Sequence, residues 1–191
     1  MNDLKKNTKL MTPILNPTAD WSSVYLRPGE FIVSDGGPML VSTVLGSCVA
    51  VTMYAPQLGV GAITHGILPR SKGWKSTEQE AAGRFVDSSI HAVAQELGAL
   101  GVKPCRTEVK VFGGAQMYGQ WGEEGGFRVG WENVESALDT LYELGFCVLV
   151  TDVGGNRGRK LFFASHTGEV WVKKLSRPIK NLEVKHGQVP D

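Results

Sequence analysis

Residues 42–69 read STVLGSCVAVTMYAPQLGVGAITHGILP and carry no Asp, Glu, Lys or Arg. The charge-free block lies between Asp35 and Arg70. Within it, VAVTMY (49–54) and VGAITHGIL (60–68) are rich in residues that fit a pleated, buried surface. Pro56 and Gln57 supply a turn between them. The stretch predicts a β-hairpin with both strands in the core. Two residues in this apolar block can do chemistry. Cys48 follows Gly46 and Ser47 at the entry to the first strand, and His65 lies near the end of the second.

C-terminal to the hairpin comes a basic loop, RSKGWKS (70–76). Thr77 with Glu80 makes a capping box. Val86, Ile90, Val93 and Leu97 follow at spacings that predict an amphipathic helix stopped by Gly98 or Gly101. Thr107, Val109 and Val111 alternate with Glu108 and Lys110, as in a half-buried strand. A second helix is expected from near Asn133, with Val134, Leu138, Leu141 and Leu144 on one face and Gly145 at its end. FCVLVT (146–151) reads as an apolar strand with Cys147 in the core. KLFFAS (160–165) and EVWVKKL (169–175) read as a hairpin. The order is strands, helix, strand, helix, strands, which is mixed α and β without regular βαβ alternation. Residues 24–176 read as one domain, with a loose lead-in over 1–23 and a tail over 177–191.

Composition narrows the function. Twenty Lys and Arg against nineteen Asp and Glu leave a net charge of +1 in 191 residues, a poor basis for binding nucleic acid through its phosphates. The 24 glycines are nearly double a usual share of roughly 7%, and suggest tight turns and close backbone approaches. Three cysteines cannot complete a disulfide framework, which fits a reducing compartment. The lysine-containing start has no apolar stretch suited to a secretory signal, and no run approaches the roughly 20 apolar residues of a membrane span. These features predict a cytoplasmic protein without membrane insertion.

The site chemistry starts from Cys48. Small residues before a cysteine leave room for a carbonyl to approach the sulfur and leave backbone N–H groups at Gly46 and Ser47 for a developing oxyanion. A thiol needs a base or a positive charge to become a good nucleophile. The hairpin brings His65 back toward Cys48. Taken alone, the pair reads more readily as core, since free cysteine behaves as a small hydrophobe and a lone apolar-flanked histidine is commonly a hydrogen-bonded core residue. There is no Cys-x-x-Cys, and His65, His91, His166 and His186 lack metal-ligand spacing, so neither metal nor cofactor is expected. Cys105 sits at a loop-to-strand junction with no base beside it. GGNRGRK (154–160) lacks the Gly-Lys-Ser/Thr of a phosphate loop. It reads as a tight turn whose Arg157, Arg159 and Lys160 are either solvated or turned toward an acidic partner.

Together these segments resemble a known family. STVLGSCVAVTMY followed by GAITHGILP resembles the signature of CheD, the chemoreceptor glutamine deamidase of bacterial and archaeal chemotaxis. RFVDSSI (84–90), VFGGAQM (111–117), VGWENV (129–134), TDVGGNRGRKLFF (151–163) and TGEVWVKKL (167–175) follow in the family's order. The resemblance implies an α/β sandwich of the α+β class, shared with toxin-type cysteine deamidases. It implies Cys48 as nucleophile and His65 as base, with a hydroxyl six residues before the cysteine to hold the ring. That position is usually threonine and here is Ser42, with Thr43 beside it. The resemblance further implies hydrolysis of receptor glutamines to glutamate through a thioester, with methyl-accepting receptors as substrate and a CheC-type phosphatase as partner. Glu132 stands where the family block normally carries Arg. A non-catalytic adaptor for such a phosphatase, or a cysteine hydrolase acting on receptor methyl esters, are the alternatives the residues leave open.

Overall fold

The computed structural model describes residues 21–34, 37–72, 82–116 and 122–176. Among the described residues the main elements occur in the order β1 (Ser22–Tyr25), β2 (Phe31–Val33), β3 (Met39–Leu45), β4 (Val49–Ala55), β5 (Val60–Thr64), α1 (Val86–Ala99), β6 (Glu108–Gly113), α2 (Gly122–Glu143), β7 (Val148–Val153), β8 (Arg159–Ala164) and β9 (Val170–Lys174). They make two sheets, one ordered β1-β3-β8-β9 and the other β2-β5-β4-β6-β7.

Alternation along the strands divides the core in two. From β4 and β6, Val49, Val51, Met53, Val109 and Val111 face the helices, where Val86, Ile90, Val93 and Leu97 of α1 and Val134, Ala137 and Leu141 of α2 meet them. The opposite faces of the same strands present Ala50 and Phe112, joined by Ile63 of β5. These pack against Val41, Leu45, Leu161, Phe163 and Val172 of the four-stranded sheet. The result is three layers, sheet on sheet on helices, and the fold is α+β as expected. Every residue of β5 is buried, as is all of β4 except Tyr54, so the charge-free block is the heart of the molecule.

The predicted hairpin is β4 and β5, antiparallel from Thr52↔Ile63 to Ala55↔Val60. The strand expected at 107–111 is β6, and the expected C-terminal hairpin is β8–β9. Helix α1 buries the predicted Val86, Ile90, Val93 and Leu97; the capping pair Thr77 and Glu80 lies outside the described residues. β1 begins at Ser22 and pairs in parallel with β3, so ordered sheet reaches into the segment assigned to the lead-in.

Two expectations are corrected. Helix α2 starts at Gly122 and not near Asn133. Gly122, Gly125, Gly126 and Gly130 weaken intrinsic helicity, which hides this helix from propensity. Gly130 has a packing reason: a Cβ there would sit 2.9 Å from the carbonyl oxygens of Gly114 and Ala115. The second correction is β7, expected to be buried. It is the edge of its sheet, and Leu149 and Val150 are exposed, as is Cys147 just before it. An apolar strand at an edge has neighbours on one side only, which composition cannot reveal.

Candidate active site

The turn between β3 and β4 carries Gly46, Ser47 and Cys48. Beyond the formal end of β5 the hairpin continues through a bridge between Val49 and Gly66, which exchange both backbone hydrogen bonds at 3.0 and 2.9 Å. That register sets Ala50 opposite His65 and Cys48 opposite Ile67. Cys48 and His65 are therefore diagonal neighbours, a relation that separates Cα atoms by about 7–8 Å. They also share a face. Cys48 packs against the core between the sheets, and His65 bonds to a residue of the opposite sheet.

That residue is Thr43. Its Oγ1 lies 2.8 Å from the carbonyl oxygen of Leu26, to which it donates, and 2.8 Å from His65 Nδ1. A hydroxyl has one proton. Once it is given to Leu26, Oγ1 can only accept from the ring, so Nδ1 carries the hydrogen. Nε2 is left with its lone pair, the form a general base requires. Nε2 is buried and has no hydrogen-bond partner among the described residues.

Ser42 was expected in this role. On β3, Val41, Thr43 and Leu45 are fully buried between the sheets, so Ser42 and Val44 project from the other face. There Ser42 is half-buried and stands opposite Phe162. The hydroxyl on the imidazole belongs to the next residue along. The pattern at 41, 43 and 45 carried this information, but the apolar Val44 on the outer face blurred it.

Both groups are neutral at rest. Burial lowers the His65 pKa from 6.5 to about 4, opposed by the Leu26 carbonyl and by Glu30. Burial also raises the Cys48 thiol, opposed by its own backbone N–H. Both shifts favour a neutral thiol and a neutral imidazole over a thiolate–imidazolium pair near neutral pH.

The turn itself is held by its carbonyls. Ala115 N–H donates to Gly46 O at 2.8 Å and Gly114 N–H to Cys48 O at 2.8 Å. Asn133 of α2 donates from Nδ2 to Ser47 O at 3.0 Å and to Ile67 O at 2.9 Å. Gly113 adopts φ +111°, and any side chain there would strike Cys48 O, so the glycine pair of FGGA is what lets β6 press against the nucleophile turn. Sequence reading singled out these glycines but missed Asn133, whose only signal was its place in VGWENV.

The basic turn behaves differently from expectation. Arg159 is 2% exposed and fully engaged: it donates to Asp152 at 3.2 and 3.0 Å, to Gly113 O at 3.1 Å and to Gly154 O at 2.8 Å. It braces the FGGA strand from within and is not offered to an acidic partner. Arg157 and Lys160 are exposed, with Lys160 Nζ 5.0 Å from the Phe162 ring. Cys105 is exposed on a short 3₁₀ turn, Pro104–Arg106. Glu132 lines a groove of about 430 Å³ with Arg70, Glu135 and Asp139. Among the described residues no cluster of His, Cys, Asp or Glu could hold a metal, and no helix is long and apolar enough to cross a membrane.

A cysteine and a tautomer-fixed histidine on one sheet face, beside a turn rich in small residues, is an arrangement suited to nucleophilic acyl transfer. Comparison with known proteins gives that class a family. Residues 67–174 match the family model described as CheD chemotactic sensory transduction. The chain is 44% identical over 154 residues to the probable chemoreceptor glutamine deamidase CheD 2 of Geobacter sulfurreducens, covering 81% of this chain and 91% of that protein. It is 36% identical over 157 residues to the chemoreceptor glutamine deamidase CheD of Thermotoga maritima, covering 82% and 94%. The chain belongs to the CheD family. Among solved structures it is similar to the Bacillus licheniformis hypothetical protein YfiH, at 11% identity and a TM-score of 0.43 over 70% of this chain and 63% of that one, a likeness too loose to bear on function.

Proposed function

We propose that this chain is a cysteine-dependent glutamine deamidase that converts selected glutamines of chemotaxis receptors to glutamate, working from the cytoplasmic side. The observation that carries the reading is the Thr43–His65 contact, which leaves Nε2 as a free base on the face that holds Cys48. Membership of a family whose curated members are named for this reaction supports the substrate class.

His65 Nε2 takes the Cys48 proton as the sulfur attacks the carboxamide carbon. Because the resting pair is neutral, proton transfer accompanies attack and does not precede it. The carbonyl electron pair moves onto oxygen, and backbone N–H groups of the Gly46–Cys48 turn stabilise the oxyanion. Its collapse breaks the C–N bond, and the imidazolium gives its proton to departing ammonia. Water, deprotonated by His65, then cleaves the thioester to release glutamate and restore the thiol. Thr43 keeps the ring in one tautomer throughout, as a third member of the triad. Each turnover adds one negative charge to the receptor, which alters charge pairing between its helices. A CheC-type phosphatase is the proposed regulatory partner.

Incubation of the chain with a receptor cytoplasmic fragment, followed by mass spectrometry, should reveal Gln-to-Glu conversion at defined sites that Cys48→Ala abolishes. Absence of conversion by the parent chain with every receptor of the same organism would sink the reading. Conversion of methyl esters alone would replace it with an esterase.

A further inference from the structure

Asn133 is fully buried, and both protons of its amide are committed to backbone carbonyls, Ser47 O on the nucleophile turn and Ile67 O on the strand opposite. Ile67 is the cross-strand partner of Cys48 in the Val49–Gly66 register, so one side chain spans the hairpin at the level of the nucleophile. The three carbonyls of the turn are not held alike: Gly46 O and Cys48 O receive backbone N–H groups, while Ser47 O receives this side chain.

A trans peptide points its C=O and N–H in opposite directions, and the described chain has no cis peptide bonds. By drawing the Ser47 carbonyl toward α2, Asn133 turns the Cys48 N–H to the other side. The Cys48 N–H also opposes the rise in its own thiol's pKa, as an N–H turned to the sulfur's side would. Donation to the carbonyl also polarises the peptide and strengthens its N–H as a donor.

We propose that Asn133 is a positioning residue that holds the Ser47–Cys48 peptide so that the Cys48 N–H meets the oxyanion formed as the thiol attacks. The inference rests on the deamidase reading. Asn133 touches neither sulfur nor imidazole among the described contacts, and acts only through the peptide it orients.

The test compares the full chain with Asn133→Ala and Asn133→Asp, using a receptor cytoplasmic fragment as substrate and iodoacetamide as a parallel probe of Cys48. Alkylation displaces iodide at a saturated carbon and forms no oxyanion, so without the oriented N–H it loses only the modest help that group gives the thiolate. Loss of an oxyanion donor costs on the order of 10²–10³ in kcat. Asn133→Ala should therefore lower kcat by about that factor, leaving KM and the Cys48 alkylation rate within about twofold. Asn133→Asp keeps the shape; ionised, it sets lone pairs against both carbonyls, and protonated, it can still donate to one. Its kcat relative to the parent should rise as pH falls from 8 to 5.5, and this ratio carries the test if the Ala variant fails to fold. Unchanged kcat in Asn133→Ala, alkylation that falls in step with kcat, or a pH-independent Asp-to-parent ratio would each overturn the proposal. A parent chain that deamidates nothing overturns the deamidase reading and this inference with it, whereas full turnover in the variants overturns only this one.

Discussion

Lowering the pH should destabilise this protein through His65 in a measurable and isolable way. Above about pH 6.5 the ring is neutral in both folded and unfolded chains, and contributes nothing to the pH dependence of stability. Below that value the unfolded chain takes up a proton that the folded chain refuses until its own pKa, about 4. Stability is therefore lost progressively as pH falls from 6.5 toward 4. At about 1.4 kcal/mol per pKa unit the full penalty is roughly 3 kcal/mol, and at pH 5 it is about 2 kcal/mol. His65→Asn removes the titration and keeps an N–H for Thr43. Urea unfolding of both chains at pH 7 and pH 5 isolates the effect, because every other group titrates in both. The parent should lose about 2 kcal/mol more than the variant over this interval. Equal losses would refute the argument that burial holds the imidazole neutral, and with it the neutral thiol–imidazole resting state.

The remaining expectations concern the residues around that pair. Thr43→Val frees the ring to change tautomer and should lower kcat by about 10–100-fold, while Ser42→Ala, on the far face of β3, should leave kcat within about twofold; equal effects would undo the assignment. Iodoacetamide should modify Cys48 more slowly at neutral pH than the exposed Cys105 and Cys147, with a rate that climbs with pH and shows no plateau on the acid side, as read by peptide mapping. Arg159→Ala leaves the Asp152 carboxylate with Lys174 alone, at 3.6 Å, and removes the donor to the Gly113 and Gly154 carbonyls, so it should cost about 3 kcal/mol in urea titration, whereas Lys160→Ala on the surface should stay within about 0.5 kcal/mol.

What was legible in the sequence was local. The charge-free run from Gly36 to Pro69 announced a buried hairpin because burial excludes unpaired charge, and the 4-3-4 spacing from Val86 to Leu97 announced α1 because one stripe of a helix must face the core. The hairpin in turn brought His65 toward Cys48. What failed needed the second sheet or the helical layer. Ser42 and Thr43 differ only in which face of β3 they occupy, and that depends on where the other sheet lies. Arg159 looked like a solvated cation until the crossover from β7 to β8 enclosed it with Asp152. Asn133 is 86 residues from Ser47, and no local pattern links a helix amide to a carbonyl at that distance. The glycine-rich start of α2 defeats propensity because four glycines between 122 and 130 weaken intrinsic helicity.

The Thr43–His65 hydrogen bond crosses from one sheet to the other, while Cys48 and His65 belong to a single hairpin. Any sliding of the sheets against each other leaves the spacing of sulfur and imidazole untouched, but stretches the bond that keeps the hydrogen on Nδ1. Reactive geometry thus resides in the hairpin, and protonation pattern in the registry of the sandwich. A binding partner or a remote substitution that shifts the β1-β3-β8-β9 sheet by a fraction of an ångström can disarm the base without moving either reacting atom. The protein would then lose turnover while its thiol stays just as accessible to alkylation.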